Sequence, residues 1–334
     1  MNAKRWAALG IAAGIFIVSL MVKFAFSLAF GEFAPLQDNL FAMDEYEVAE
    51  RTVEPSAGLD RIAIIEVNGV IQDLGASLWF AQAGYHHRVM LQMLDKAAED
   101  DTVKGVILRV NSPGGGVVES AEIHKKVKAL TEKEKPVYVS MGSMAASGGY
   151  YISAPATKIY ASPTTLTGSL GVIMETINYS QLAENIGIDF EVVKSGPHKD
   201  IGSGARDMTK KEREILQSMV DNAYNDFVNV IAEGRSMSEE QVKNIADGRI
   251  YDGRQAKEVG LVDELGDLDE TIQALKEEIG KKQIGVIRYE PGFGFGSLFQ
   301  MAAQKMFGSE FDLFGIKQLI STSNSPRMMY LYTE

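Results

Sequence analysis

The sequence contains no cysteine, which excludes disulfides, thiolate metal sites and a cysteine nucleophile together. Its four histidines (His86, His87, His124 and His198) show no HExxH or comparable spacing, so we expect neither a metal nor another cofactor. Basic residues are also outnumbered, with 33 Lys and Arg against 45 Asp and Glu, a formal net charge of −12. Such a surface repels phosphates, so we expect no nucleic-acid partner.

Charge is also missing from a run at the N-terminus, residues 6–22, which follows a Lys-Arg pair. As a helix this run would span roughly 26 Å, close to the thickness of the hydrocarbon core. Two other interpretations are a buried core helix and a signal peptide cleaved after the small residues Ser27 and Ala29. The length of the run favours a single-pass anchor over residues 1–30, with a cytoplasmic N-terminus and the remainder of the chain extracytoplasmic, at the cell membrane.

Strand, turn and helix patterns alternate beyond the anchor, which is typical of an α/β domain with buried strands. Predicted strands cover residues 62–67, 103–110, 137–140, 158–161, 170–173 and 190–193, and predicted helices cover 85–100, 117–130, 147–153, 209–233, 238–246 and 268–279. We therefore divide the chain into an anchor (1–30), an acidic linker (31–58), an α/β domain (59–285) and a C-terminal extension (286–334).

Two glycine-rich turns each follow a predicted strand and lead into a helix. The first, RVNSPGGG over residues 109–116, offers unobstructed backbone N–H groups that suit an oxyanion. The second, SMAASGGYY over 143–151, places Ser147 at a helix N-terminus between small residues. A phosphate loop is a weak alternative because GxxxxGK[ST] and GxGxxG are absent, whereas a structural N-cap serine beside an empty turn remains open. Together the turns predict half of an acyl-transfer site.

A nucleophilic serine needs a base, and spacing alone leaves two kinds open. Any of the four histidines could complete a Ser-His-Asp triad, since triad partners need only meet in space. A lysine could serve if burial or nearby cations keep it neutral. Lys194 and Lys199 flank the turn over residues 195–198, although a solvated surface charge is the ordinary state of a loop lysine.

These segments together resemble the signal peptide peptidase A family, also called protease IV, in its half-length form. The matching stretches are residues 109–116, 143–155, 167–172, 194–199, 247–256 and 260–266, and the likeness covers roughly 60–280. The resemblance implies a Clp protease/crotonase-like spiral of repeated β-β-α units after an N-terminal transmembrane helix. It also implies a membrane-anchored serine endopeptidase that degrades remnant signal peptides and other apolar peptides at the outer face of the cytoplasmic membrane.

Roles for individual residues follow from the same resemblance. Ser147 would be the nucleophile of a Ser-Lys dyad, Lys199 its general base, and Ser169 the residue that orients the lysine. Gly114 and Gly148 would donate to the oxyanion. Half-length members form each site between protomers, so the resemblance also implies a homo-oligomer whose neighbouring subunits contribute the serine and the lysine.

The last eight residues, RMMYLYTE (327–334), are mostly apolar and carry no turn residues. They resemble a substrate for a protease of apolar peptides, so we predict that this tail occupies a substrate groove and is trimmed. A terminal strand docked on a neighbour, or plain disorder, are the alternatives. Two other functions remain for the whole chain: a crotonase-like acyl-CoA enzyme, and a catalytically silent membrane scaffold.

Overall fold

A computed structural model describes Phe16 and residues 48–56, 58–73, 85–292 and 328–332. The predicted anchor, apart from Phe16, and most of the predicted linker lie outside these residues. Within the described ranges, no helix has both the length and the apolar character needed to cross a membrane.

Eleven strands lie in the described ranges, and most of them join one large sheet. They are β1 (Val48–Glu54), β2 (Arg61–Asn68), β3 (Val103–Ser112), β4 (Gly114–Gly116), β5 (Val137–Ala146), β6 (Lys158–Ala161), β7 (Leu166–Gly168), β8 (Ile250–Tyr251), β9 (Glu264–Leu265), β10 (Gly285–Pro291) and β11 (Met329–Leu331). The sheet order is β1-β10-β2-β3-β5-β6-β9, with β7 between β5 and β8, while β4 and β11 form a separate pair. Only β1·β10, β7·β8 and β4·β11 are antiparallel.

The described helices connect and cover these strands. They are α1 (His87–Glu99), α2 (Val117–Glu132), α3 (Gly148–Tyr151), α4 (Ser180–Asn185), α5 (Lys210–Arg235), α6 (Glu239–Ile245), α7 (Gly253–Glu258) and α8 (Leu268–Ile279). The α/β class predicted from the sequence is confirmed. The sheet extends beyond the predicted 59–285 domain on both sides, because β1 lies in the predicted linker and β10 passes residue 285.

Apolar burial on the central strands holds this fold together. Ile62, Ile64 and Ile107 are fully buried and pack with Ile272 and Leu275, which α8 presents one helical turn apart. Burying one such aliphatic side chain contributes roughly 1.5–3 kcal/mol. These contacts make the central strands β2, β3 and β5 a rigid platform, and the turns that follow β3 and β5 take their positions from it.

The long helix α5 begins where its sequence predicts. The side chain of Thr209 accepts from the amide of Glu212, and the Glu212 carboxylate accepts from the Thr209 amide, which closes a capping box. In contrast, the predicted strands 170–173 and 190–193 are both wrong: the first has only an isolated bridge at Ile173, and the second has no regular structure. Val193 is fully exposed there, and a β-branched run stays in a strand only when a neighbouring strand pairs with its backbone.

Candidate active site

The two glycine turns meet at one edge of the sheet because they follow neighbouring parallel strands. Ser112 at the end of β3 pairs with Ala145 near the end of β5. A Cβ placed on Gly149 would lie 2.8 Å from the Ser112 carbonyl oxygen, and one on Gly148 would lie 3.1 Å from the Gly115 nitrogen. The turns are therefore packed so closely that a side chain at position 148 or 149 would force them apart.

Ser147 stands at the junction of β5 and α3 in a strained conformation. Its φ of +52° and ψ of −115° are unusual for a residue with a side chain, and its amide donates to the Gly168 carbonyl at 2.7 Å. The residue is 1% exposed, and its Oγ has no hydrogen-bond partner among the described residues. A buried hydroxyl without a partner is costly, so this serine is held for a purpose other than capping.

Gly114 and Gly148 lie side by side next to Ser147. Gly114 has a φ of +102°, and a Cβ on it would lie 2.6 Å from the Gly148 nitrogen. Its own amide donates to Ser112 Oγ at 3.0 Å. The structure thus brings together three of the predicted site residues: the serine and the two glycines.

Part of the C-terminal tail lies against this glycine pair as an extended strand. Strand β11 runs antiparallel to β4, with Tyr330 opposite Gly115, and the Tyr332 amide donates to the Pro113 carbonyl at 2.9 Å. On its other side, Met329 exchanges two backbone hydrogen bonds with Ile173 at 3.0 and 3.1 Å. An extended peptide held between two backbone segments is the arrangement of β-strand addition.

The carbonyl of Tyr330 points at the glycine pair. Its oxygen lies only 2.0 Å from the position that a Cβ on Gly114 would occupy, the same position that lies 2.6 Å from the Gly148 nitrogen. The absent side chain at Gly114 therefore leaves room for a peptide carbonyl beside two backbone amide groups. A carbonyl placed in that way suits stabilisation of an oxyanion.

The Tyr330 side chain fills an apolar pocket beside the turns. Its ring stacks on Tyr151 at 4.8 Å between centroids and contacts Phe227 at 4.7 Å, and its hydroxyl donates to the Ala223 carbonyl at 2.9 Å. The residue is fully buried, and that burial raises its pKa far above the ordinary value. The site therefore accepts a large aromatic side chain as well as an extended backbone.

His124 supports the pocket from behind but does not reach the serine. Its ring meets Tyr151 edge-on at 5.3 Å, and burial, helped by the Lys128 charge, lowers its pKa to about 4. His87 donates to or accepts from Tyr85 and Glu122, and His198 lies 3.5 Å from a Glu212 oxygen. None of the four histidines, all of which are described, forms a hydrogen bond with Ser147.

The two remaining predicted residues form no hydrogen bond with the serine hydroxyl. Lys199 is exposed in the loop before α5, and no bond joins it to Ser147 within the described residues. Ser169 has a φ of +50° and donates its amide to the Arg249 carbonyl at 2.7 Å. It lines an open cavity of about 540 Å³ that Leu331 also lines.

The pocket residues Tyr151, Ala223 and Phe227 were not predicted from the sequence. Tyr151 is part of the second glycine motif, so its position next to Ser147 was a signal. The other two lie on α5 more than 70 residues away, and nothing local distinguishes them from core residues. Within the described ranges, no group of three or more His, Asp or Glu residues could hold a metal ion.

Comparison with known proteins identifies the family of this chain. The profile of the family described as Peptidase family S49 matches residues 129–282. A candidate signal peptide peptidase SppA of Enterococcus faecium is 39% identical over 99% of both chains. A candidate protease of Methanocaldococcus jannaschii is 42% identical over 63% of this chain and 67% of its own, and Protease 4 of Salmonella typhi is 36% identical over 78% and 41%. The chain therefore belongs to peptidase family S49, as a serine protease of the signal peptide peptidase A type.

Proposed function

We propose that this protein is a membrane-anchored endopeptidase in which Ser147 and Lys199 form a catalytic dyad. Its substrates are remnant signal peptides and other apolar peptides at the outer face of the cytoplasmic membrane, where residues 1–30 anchor it. One observation carries the proposal: a strained, buried serine hydroxyl, which has no hydrogen-bond partner in the part of the chain that the structure describes, lies beside glycines that face the carbonyl of a bound strand.

The chemistry needs few groups. Neutral Lys199 takes the proton of Ser147 as Oγ attacks the peptide carbonyl, and it passes that proton to the leaving amine. Ser169 orients the lysine. Gly148 and Gly114 donate to the oxyanion, and Gly114 must share or release its present bond to Ser112 Oγ to do so. Water then hydrolyses the acyl-enzyme and restores the serine.

The base comes from a second copy of this chain. Among the described residues of one chain the buried serine hydroxyl has no hydrogen-bond partner, while Lys199 is exposed. The segment before the Lys199 loop is unusually apolar for a surface. Its exposed side chains are Ile173, Ile177, Leu182, Ile186, Ile188, Phe190, Val192 and Val193. A patch of this kind marks a protein interface, and a neighbouring protomer that covers it would bring its own serine to this lysine in a homo-oligomer.

The bound tail supports the proposed substrate class. Its backbone is read by strand addition, which is independent of sequence, while the Tyr330 pocket selects a large apolar side chain. Apolar peptides left in a membrane match both features. The short strand β4 lies outside the main sheet beside the site, and β7 branches from β5; both are consistent with the Clp protease/crotonase-like spiral that we propose for the fold.

A fluorophosphonate probe tests the nucleophile. We expect the assembled protein to be labelled, Ser147→Ala to lose the label, and the exposed-serine control Ser218→Ala to keep it. An assembled oligomer that takes no label would favour the acyl-CoA enzyme or the silent scaffold. Lys199→Ala should assemble but lose turnover, and near-normal rates would show that another base acts.

Subunit mixing tests the shared site. Ser147→Ala and Lys199→Ala are each expected to be inactive alone. A mixed oligomer should regain activity, because some of its sites combine the intact serine of one chain with the intact lysine of the other. Mixed particles that stay inactive would contradict the shared dyad.

A further inference from the structure

The loop that carries Lys199 has little backbone structure to hold it. Between residue 194 and the start of α5, its backbone hydrogen bonds are short-range turns, such as Lys199 to Gly196 at 3.3 Å and Ser203 to Asp200 at 3.0 Å. One longer bond joins Tyr179 to Gly204 at 2.9 Å. Turns of this kind leave a loop free to shift as a body, yet a general base must lie within hydrogen-bond distance of its proton.

An arginine in the same loop connects it to the rest of the fold. Arg206 donates Nε to Asp200 Oδ2 at 2.8 Å and Nη2 to Asp200 Oδ1 at 2.7 Å, and Asp200 directly follows Lys199. The same guanidinium donates Nη1 to Glu212 Oε2 at 2.9 Å and Nη2 to Glu212 Oε1 at 2.6 Å. A single side chain thus spans two carboxylates with four charge-assisted hydrogen bonds.

The far end of this connection is rigid. Glu212 is 1% exposed and is the third residue of α5, where both the amide and the hydroxyl of Thr209 donate to it, at 3.0 and 2.9 Å. Helix α5 is 26 residues long and is fixed to the core by buried residues that include Phe227 and Ile231. Through Arg206, the position of Asp200 is therefore fixed relative to a packed helix.

We propose that Arg206 is a positioning residue for catalysis: by joining Asp200 to Glu212 it sets where the neighbouring Lys199 presents its amine to the partner's serine. This inference rests on the proposed function of Lys199. Arginine is suited to the task because its planar fork fixes two carboxylates at once, which the single ammonium of a lysine cannot do.

The connection keeps its charges over the whole working range of pH. The Arg206 guanidinium holds the pKa values of Asp200 and Glu212 well below their ordinary range, with Lys194 adding to the effect at Asp200 and Thr209 at Glu212. Lowered carboxylate pKa values mean that the stabilisation is present at neutral pH and is lost only in strong acid. Another side chain beside the connection is His198, whose Nδ1 lies 3.5 Å from a Glu212 oxygen.

Arg206→Lys tests the geometry, since it keeps the charge and removes the fork. Arg61→Lys is the matched control, because Arg61 also joins two carboxylates, Glu50 at 2.5 Å and Asp100 at 2.8 Å, at the end of β2 remote from the site. We expect kcat of Arg206→Lys to fall about 100-fold with KM within twofold, the effect of a misplaced catalytic group. Arg61→Lys should keep its kcat. A kcat within threefold of wild type for assembled Arg206→Lys overturns the inference.

Asp200→Asn covers the case in which Arg206→Lys does not assemble. It leaves the Arg206–Glu212 contacts in place and weakens the contacts of Asp200 with Arg206 and with Lys194. We expect the same fall in kcat with an unchanged oligomer, and a normal kcat would overturn the inference.

Subunit mixing assigns the defect to one half of the site, which a general structural role would not do. Arg206→Lys mixed with Ser147→Ala should regain activity, because the Ser147→Ala chain brings an intact lysine loop. Arg206→Lys mixed with Lys199→Ala should not, because both lesions affect the lysine. The opposite pattern overturns the inference. Full turnover by Lys199→Ala alone would instead refute the proposed dyad, so the two failures are distinguishable.

Discussion

Replacement of Gly114 by alanine separates backbone strain from obstruction of the site. Gly114 has a φ of +102°, and a residue with a side chain in such a conformation costs about 1–2 kcal/mol. In a domain of this size that loss lowers the melting temperature by roughly 2–8 °C. Two clashes add to this strain, since the new methyl group would lie 2.0 Å from the Tyr330 carbonyl oxygen, where the peptide binds, and 2.6 Å from the Gly148 nitrogen of the site itself. Neither separation is tolerated, so the bound strand must move away.

Gly280→Ala is the control for this prediction. Gly280 ends α8 with a φ of +73°, and a Cβ there would have no atom within 4 Å. In thermal unfolding Gly280→Ala should therefore lose only the stability that strain costs, and Gly114→Ala should lose more because of its two clashes. Only Gly114→Ala should lose turnover, by about 100-fold or more in kcat/KM on a fluorogenic apolar peptide, which is the usual cost of losing one oxyanion contact. If Gly114→Ala keeps kcat/KM within fivefold of wild type, the carbonyl of the substrate does not lie where the tail places that of Tyr330.

Three further predictions concern the tail and the pocket. Tyr330→Ala should raise kcat/KM severalfold, because truncating a buried aromatic side chain costs about 3–5 kcal/mol and so releases the tail from the site. Tyr332→Ala, at a partly exposed position, should change kcat/KM little. Equal kcat/KM values for the two variants would contradict a tail that competes with substrate. Intact-mass measurement should show a shorter tail in wild type than in Ser147→Ala, and equal lengths would exclude self-trimming. Because burial lowers the pKa of His124 from 6.5 to about 4, the unfolded chain binds more protons than the folded chain between these pH values. The free energy of unfolding should therefore fall by at most about 3 kcal/mol as pH drops from 6.5 to 4. Urea unfolding of His124→Gln at several pH values should show a shallower fall with pH, and a pH dependence equal to that of wild type would refute this effect of His124.

Local patterns predicted the secondary structure well where one element supplies its own signals. The strand Lys158–Ala161 and the helix Leu268–Ile279 have the bounds expected from the sequence, and the capping boxes at Thr209 and Ser238 are both present. Capping joins side chains and amides only three residues apart, so the sequence alone defines it. The predicted strand 190–193 failed because pairing depends on a neighbour that no local pattern reveals.

Some residues of the candidate site could likewise be predicted from local sequence, and others could not. The position of the glycines beside Ser147 was predictable from the sequence, because two turns that follow neighbouring parallel strands must share an edge of the sheet. The role of Lys199 came from family resemblance, and spacing could not supply it, because within the described residues of one chain no hydrogen bond joins Lys199 to Ser147.

The sequence by itself determined the α/β class, the helix ends and the two small-residue turns, since each depends on contacts between residues close along the chain. The tertiary structure alone decided that Tyr330 lies in a pocket made by Tyr151 and Phe227, more than 100 residues away. It also decided that Arg206 connects the Lys199 loop to α5 through hydrogen bonds with Glu212, instead of extending into solvent. Contacts of this kind depend on how helices and strands pack in space. Packing brings together residues that are distant along the chain, and local sequence patterns do not reveal such contacts.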